Sequence, residues 1–400
     1  MANSYVNIDM VTTEALSILE NQSAVIRNID KQYDSAFGQT GAQIGSSLRL
    51  RLPDRVLVSD GAALQVQDIN QQYTTISVTN QKHIGLNFTD ADFVLKMGPF
   101  SEQFLKPRVS QLATTVDQDV CNVYKSIYQS VGTPGTTPST SLVLLQANQK
   151  LNEMAAPLNQ RYCTVNPAAN AGLVEGMKGL FNPVPTISKQ FKGGLMGEGI
   201  LGFDEINMSQ SLPNHLTGDF GTSITVTSTV STQGQATLGI SFTGSSKTWK
   251  QGDVFTIAGV YSVNPQSRIS TGSLQQFVVT ADLTASSTGT LSISPAIYTA
   301  SNALATVDSF PQAAAVVTML GSANTSYPQN LVYHKNAISM VTADCLMPNG
   351  VNMASRQVHN GVSMRIVQQY EIGNDRMPTR LDVIYGYALI RPELACRIWG

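Results

Sequence analysis

Apolar residues recur along the chain with two periods, near 3.6 and 2.0, and the places where one period replaces the other divide it into segments. Residues 12 to about 34 hold Leu16, Leu19, Ile26 and Ile29 at near-helical spacing, with Thr12 as a cap and Glu14 in the first turn, which predicts an amphipathic helix. Gly38, Gly41 and Gly45 interrupt the pattern. Strict alternation follows, with Leu48, Leu50 and Leu52 on one side and Arg49 and Arg51 on the other. After a turn-rich stretch at Ser59–Asp60–Gly61 come two more alternating runs, Ile76 with Val78, then Ile84, Leu86 and Phe88. Together they predict a long two-stranded projection with a polar tip between about Ser59 and Gln72. A lone hairpin is marginal in water, so the projection is expected to lie on another surface, a neighbouring subunit first of all.

Residues 101–131 carry the most regular pattern. Leu105, Val109, Leu112, Val116, Val120, Val123 and Ile127 recur at steps of three and four, with Ser101 as an N-cap and Pro107 near the start. Gly132, Pro134 and Gly135 stop the run. Such a helix is roughly 45 Å long, against a radius of gyration of ~21 Å for a compact chain of this length. That predicts a flat or elongated subunit built along it.

The linker GTPGTTPSTS leads to a helix near Leu142–Ala155, a short strand near Tyr162–Val165 and a helix from about Ala168 to Leu180. From Thr222 to about Phe310 the texture changes: about a third of the residues are Ser or Thr, and charge nearly vanishes. Short β-rich runs there (Ser223–Val230, Leu238–Phe242, Val254–Val260, Gln276–Thr280, Thr290–Ser294) are separated by Gly-containing turns, which predicts a small inserted β-barrel or sandwich. Mixed texture then resumes, with an Ala-rich helical stretch at 312–321 and strands around Leu331–Val341, Val358–Gln369 and Leu381–Ile390.

Composition sharpens this picture. Of 400 residues, 42% are hydrophobic, which excludes disorder, yet only 13% are charged and the net charge is −2. Ser, Thr, Asn and Gln stand in for the missing charge and cost less to desolvate, which suits a chain that buries much of itself against other chains. It does not suit a nucleic-acid reader, whose affinity rests on clustered Lys and Arg. Met1–Met10 shows no basic segment followed by an apolar run, so no secretory signal is expected. The longest apolar stretch, Ala313 to Leu320, is broken by Thr318 and is too short to span a membrane. Cys121, Cys163, Cys345 and Cys396 are scattered, form no C-x-x-C pair and read as reduced core thiols.

Nothing in the chain assembles a catalytic, cofactor or metal motif. The run from Gly193 to Gly199 lacks the Gly-Lys-Ser/Thr ending of a phosphate loop and reads as a flexible turn. His83, His215, His334 and His359 have no metal-ligand spacing. The pairs Asp90 with Asp92, Asp117 with Asp119 and Asp204 with Glu205 read as solvated faces or caps. No Gly-x-Ser-x-Gly elbow occurs, so the chain is expected not to be an enzyme.

The remaining charge is unevenly placed. Arg49, Arg51, Asp54 and Arg55 crowd the first arm of the projection, and Lys82 and His83 sit on the returning arm. They form either a solvated strand face or a set of cations that meets carboxylates of an adjacent subunit, setting register and orientation.

Several stretches resemble a known family. They are Gly202–Phe203–Asp204–Glu205 followed by Leu212–Pro213, the run from Lys250 through Asp253 to Val260, Asn330–Leu331–Val332–Tyr333–His334 with Ala337–Ile338, and Asp382–Val383–Ile384–Tyr385–Gly386 with Arg391–Pro392–Glu393. With the order of elements, they resemble the major capsid (coat) proteins of tailed bacteriophages. The nearest likeness is to the coat proteins of short-tailed Salmonella-type phages, whose HK97-like fold carries an inserted β-barrel domain. In residues 1–200 the likeness is one of order and pattern.

The resemblance implies an α+β fold with an N-terminal arm (1–45), an E-loop hairpin (46–97) that wraps a neighbour, and the spine helix of a P-domain (98–140). An A-domain (141–221) follows, then the inserted β-barrel (222–310), then the rest of the A-domain with returning P-domain strands (311–400). It implies a self-assembling shell of pentamers and hexamers around double-stranded DNA, built as a precursor in the bacterial host cytoplasm and matured by subunit rotation. The implied partners are a scaffolding protein, a portal, a decoration protein and packaged DNA touched without sequence preference; no membrane is involved. An intercapsomer loop is expected near Asn264–Ser273, with Arg268 as its charge. A head-decoration or tail adhesin protein is the competing reading, against which the long helix argues.

Overall fold

The computed structural model describes residues 8–34, 47–56, 61, 66, 72–89, 106–177, 197–374 and 376–400. Helix α1 runs over Ile8–Gln22 and stops well short of residue 34. Its continuation is a 3-10 turn at Ile26–Asn28 and strand β1 (Asp30–Asp34). Two contacts explain the early stop: the Ser23 hydroxyl donates to Leu19 O, and the amides of Val25 and Ile26 donate to the buried Asp117 carboxylate at 3.0 and 3.3 Å. These amides have side-chain partners and do not need a continued helix. Asp117 is thus a cap, as expected, but a buried one.

Strands β2 (Ser47–Arg51) and β3 (Tyr73–Ser77) form the hairpin as a separate two-stranded sheet. The third alternating run is not part of it. Strand β4 (Asn80–Thr89) instead pairs along its whole length with a late strand.

Helix α2 covers Lys106–Cys121 and is about 24 Å long. Beyond it the chain tightens into a 3-10 turn at Asn122–Ser126 and then β5 (Ser130–Val131), so the helix stops ten residues short of the expected end at 131. The apolar positions at Val123 and Ile127 are still buried, now by a turn and an extended segment. Residues 101–105, the expected start of this helix, lie outside the described residues.

Next come α3 (Ser141–Glu153), β6 (Arg161–Val165), α4 (Pro167–Met177), β7 (Gly197–Ile200), β8 (Phe203–Met208) and β9 (Asn214–Leu216). The Ser/Thr-rich segment forms β10 (Thr222–Val226), β11 (Gln235–Thr243), β12 (Lys247–Trp249), β13 (Val254–Val263), β14 (Ser270–Val279), β15 (Leu283–Ala285) and β16 (Thr288–Ile297). The Ala-rich stretch at 312–321 is not helical. Its backbone trades hydrogen bonds with Val226, Ala314 takes a φ of 62°, and β17 (Val317–Met319) follows. The remainder is β18 (Ser326–His334), β19 (Ile338–Ala343), β20 (Met353–His359), β21 (Val362–Gln368), β22 (Arg376–Leu389) and β23 (Ala395–Trp399).

The chain divides into two compact units. The first comprises Met1–Arg51, Tyr73–Val120 and Ile338–Ala388. Its six-stranded sheet has the order β1-β19-β22-β21-β20, with β4 also on β22 and α1 packed over β20 and β21. Leu16, Leu19, Val109, Val116, Met364, Ile366 and Val383 are buried there. Gly386 is needed: a Cβ at this position would lie 2.3 Å from Ser77 O.

The second unit comprises Leu52–Gln72, Cys121–Ala337 and Leu389–Gly400. It holds a seven-stranded sheet, β5-β23-β18-β6-β8-β7 with β9 on β18, and an antiparallel sheet of order β10-β11-β16-β14-β13-β17. The two outer strands of that antiparallel sheet meet through the Thr225–Val316 bridge and the hydrogen bond from Val226 N to Ala315 O. Inside lies an apolar core that includes Ile240, Trp249, Phe255, Phe277, Leu291 and Val317. This sheet runs to Met319, past the expected boundary at 310. All four cysteines are buried, and none is in a disulfide among the described residues.

Candidate subunit interface

The β2–β3 register decides what the hairpin shows. Leu48 lies opposite Ile76 and Leu50 opposite Thr74, while Arg49 faces Thr75 and Arg51 faces Tyr73. Directly opposed residues of an antiparallel pair share a face. One face therefore carries the fully buried Ile76 with half-buried Leu48 and Leu50, and the other carries Arg49, Arg51, Tyr73 and Thr75, all exposed. The Arg49 guanidinium rests 5.1 Å from the Tyr73 ring centroid, a diagonal cross-strand contact. Arg51 makes no ion pair among the described residues.

The other expected interface residues divide into free and engaged. Asp54 is exposed and, among the described residues, accepts the adjacent Arg55 amide. Arg55 donates to Glu393 at 2.9 Å in the same chain, an oxygen it shares with Arg391 at 3.1 Å. Arg268, at a φ of 57°, donates to Val56 O at 2.9 Å. The turn around it does not stand free: Asn264 donates to Glu153 O, and Lys150 to the Ser273 hydroxyl. Lys82 pairs with Asp119 at 3.0 Å, and the same carboxylate oxygen accepts the buried Tyr385 hydroxyl. The Tyr385 pKa is pushed up by burial and then by Asp119.

His83 is exposed at the end of a row that runs across four strands, His83–Asp382–Arg365–Arg356. Asp382 is fully buried beneath Arg365 and Arg380, with Gln81 donating from β4 at 3.4 Å. Burial works to raise the Asp382 pKa, but hydrogen bonds and charge from Arg365 and Arg380 outweigh it and hold the carboxyl below its ordinary value. Asp119, Glu393 and Asp382 escape sequence reasoning as partners. The one available signal is the Arg380–Asp382 spacing of two, which puts both on one face of a strand.

Among the described residues no group of His, Cys, Asp or Glu could hold a metal, and no helix is long and apolar enough to cross a membrane. What the geometry presents is the exposed face of Arg49, Arg51, Tyr73 and Thr75. The sequence model described as P22 coat protein, gene protein 5, matches residues 1–398. The chain belongs to the P22 coat protein family.

Its function follows: this coat protein is a major capsid protein, its copies form the phage head shell, and its place is the virion capsid. The role is structural, and the decoration or adhesin reading falls. Solved structures similar to this coat protein include one of Mycobacterium phage Che8, at 11% identity over 94% of this chain and 90% of that one, TM-score 0.44. Another is the capsid of cyanophage P-SCSP1u, at 13% over 94% and 88%, TM-score 0.46. A third is the capsid of Ralstonia phage GP4, at 8% over 92% and 86%, TM-score 0.46. None of the curated proteins compared with the chain matches it.

Proposed function

We propose that this coat protein has an HK97-type architecture with an inserted β-barrel, and that its shell is built from pentamers and hexamers whose E-loop hairpins lie on adjacent subunits. The outward face of the hairpin carries this reading. Arg49, Arg51, Tyr73 and Thr75 are presented together on a two-stranded sheet whose other face fully buries only Ile76 among the described residues. Such a sheet gains little by itself and much from a neighbour. Arg49, Arg51, Asp54 and His83 would meet that neighbour, while Lys82, Arg55 and Arg268, engaged within the chain, orient the strands and loops beside it. The bridge between β10 and the segment before β17 supports the barrel. On the same reading, an internal scaffolding protein, a portal and a decoration protein act on the shell, and packaged DNA touches it without sequence preference.

The test is the double variant Arg49→Glu, Arg51→Glu, expressed with the genomic neighbours of the gene and imaged by negative stain. Folded subunits that fail to close shells are expected. Normal closed shells would overturn the wrapping model.

A further inference from the structure

Two chain segments carry the backbone into and out of the Ser/Thr-rich sheet, and together they form its neck. The incoming segment at 217–218 and the outgoing one at 324–325 are zipped by Thr217 N to Thr325 O and Asn324 N to Gly218 O, each at 3.1 Å. Beside this neck lies a buried cluster of ionisable groups that the contact surface does not use. His215 comes from β9, Asp253 from the turn before β13, Tyr124 from the 3-10 turn after α2, and Arg397 from β23.

All four are almost fully enclosed, with Tyr124 at 3%, His215 at 2%, Asp253 at 1% and Arg397 at 0% exposure. His215 Nε2 lies 2.9 Å from Asp253 Oδ1, and its Nδ1 lies 3.3 Å from the Tyr124 hydroxyl. The Asp253 carboxylate also accepts Lys250 N at 2.7 Å and Gly218 N at 3.2 Å, tying the incoming segment to the turn. Arg397 donates to Gly252 O at 2.6 Å, and its guanidinium lies over the Trp399 ring at 5.1 Å. Gly252 has a φ of 102°, and a Cβ there would stand 3.0 Å from the imidazole.

The charges balance in one protonation state only. With neutral His215 the cluster holds one anion, Asp253, and one cation, Arg397. The tautomer with hydrogen on Nε2 donates to Asp253 and accepts the Tyr124 hydroxyl at Nδ1, so both ring nitrogens are satisfied. A second proton on Nδ1 forces the Tyr124 hydroxyl to turn from donor to acceptor and adds a cation to a dry site already holding Arg397, with Lys125 adding further positive charge. We propose that His215 is a proton-sensitive clasp: neutral, it locks the neck of the inserted sheet, and protonated, it lets the neck open.

The direction of titration agrees. Burial lowers the His215 pKa first of all, Asp253 opposes through its hydrogen bond and charge, and Arg397 and Lys125 lower it further. The closed form therefore binds the proton less tightly than the open one. The stability of the clasp is complete above about pH 6.5 and is lost as pH falls from there toward the lowered closed-state value. The apolar contacts of Tyr128, Val254, Val278, Tyr327 and Trp399 nearby do not titrate in this range, so the opening is local to the neck.

Hydrogen exchange on the full-length subunit, corrected for intrinsic rates, tests this at pH 7 and pH 5.5. Amides at 214–219 and 250–254 should lose about tenfold protection at the lower pH while those at 383–385 keep theirs. His215→Gln donates and accepts but cannot take the proton, so its neck should be equally protected at both values. Equal protection in the natural chain, or the same loss in His215→Gln, overturns the proposal and turns attention to His334. If the variant does not fold, NMR titration of His215 in the natural chain decides: a midpoint at or above about 6.5 overturns the clasp, and one below it supports it.

Discussion

The Ser/Thr-rich sheet and the β2–β3 hairpin are both antiparallel and both read clearly as alternating sequence, yet they are held by different means. The sheet encloses its own apolar core, in which Phe242 and Trp249 meet edge-on at 4.6 Å and Phe255 stacks on Phe277 at 5.7 Å. The hairpin fully buries Ile76 and turns its arginines outward. Burial of apolar area stabilises the first within one chain. The second has little apolar area of its own to bury, and the proposed neighbour would supply the rest. Alternation alone does not separate these cases; the number of strands that share the buried face does.

The sharpest way to break the contrast is inside the sheet. Trp249→Ala should cost about 3–5 kcal/mol, read as a large drop in thermal midpoint or as insoluble subunit. A loss below about 1 kcal/mol would mean that the core does not hold the sheet.

Strand β22, on which β4 pairs, is anchored by charge as well as packing. Asp382→Asn leaves Arg365 and Arg380 without their buried anion and should cost about 3 kcal/mol by denaturant unfolding. The same carboxyl makes a pH prediction. Its folded pKa is lowered, so its contribution is complete above about pH 4 and fades as pH falls further. The Asn variant should therefore show a weaker dependence on acid than the natural chain, and identical acid unfolding curves would refute the assignment.

Ile76→Ala comes next, at about 2 kcal/mol, since one buried side chain is removed from a thin sheet. Smallest in stability and largest in assembly is Arg51→Ala. It should leave subunit stability within about 0.5 kcal/mol of the natural chain, yet slow shell formation more at low salt than at high. Arg55→Ala should behave differently, costing the subunit about 1 kcal/mol or less and leaving the salt dependence of shell formation unchanged, because its carboxylate Glu393 is in the same chain. Similar salt profiles for the two variants would erase that distinction.

Legibility followed the range of the deciding contact. Helices α3 and α4 and strand β6 stand close to their expected bounds because capping, periodicity and breakers are local. The misreadings share one cause. Helix α1 ends where Asp117, some ninety residues away, takes its amides, and the Ala-rich stretch is extended because Val226 offers it a strand partner. Strand β4 leaves the hairpin because β22 pairs with ten of its residues. Of the candidate interface, the outward arginines were readable from alternation, whereas the carboxylates that engage Lys82 and Arg55 lie too far along the chain to be seen.

By itself, then, the order of residues determined the class of the protein: a charge-poor chain of mixed helix and strand with a Ser/Thr-rich β segment and an arginine-bearing hairpin, its motifs those of a coat protein. Those properties are additive along the chain, so a linear reading captures them. Which cations are spent inside the subunit, where helices stop, and the gathering of His215, Asp253, Tyr124 and Arg397 into one dry site were decided by tertiary structure alone. Each depends on residues distant in sequence sharing a few ångströms of low-dielectric space, and no local pattern encodes that meeting.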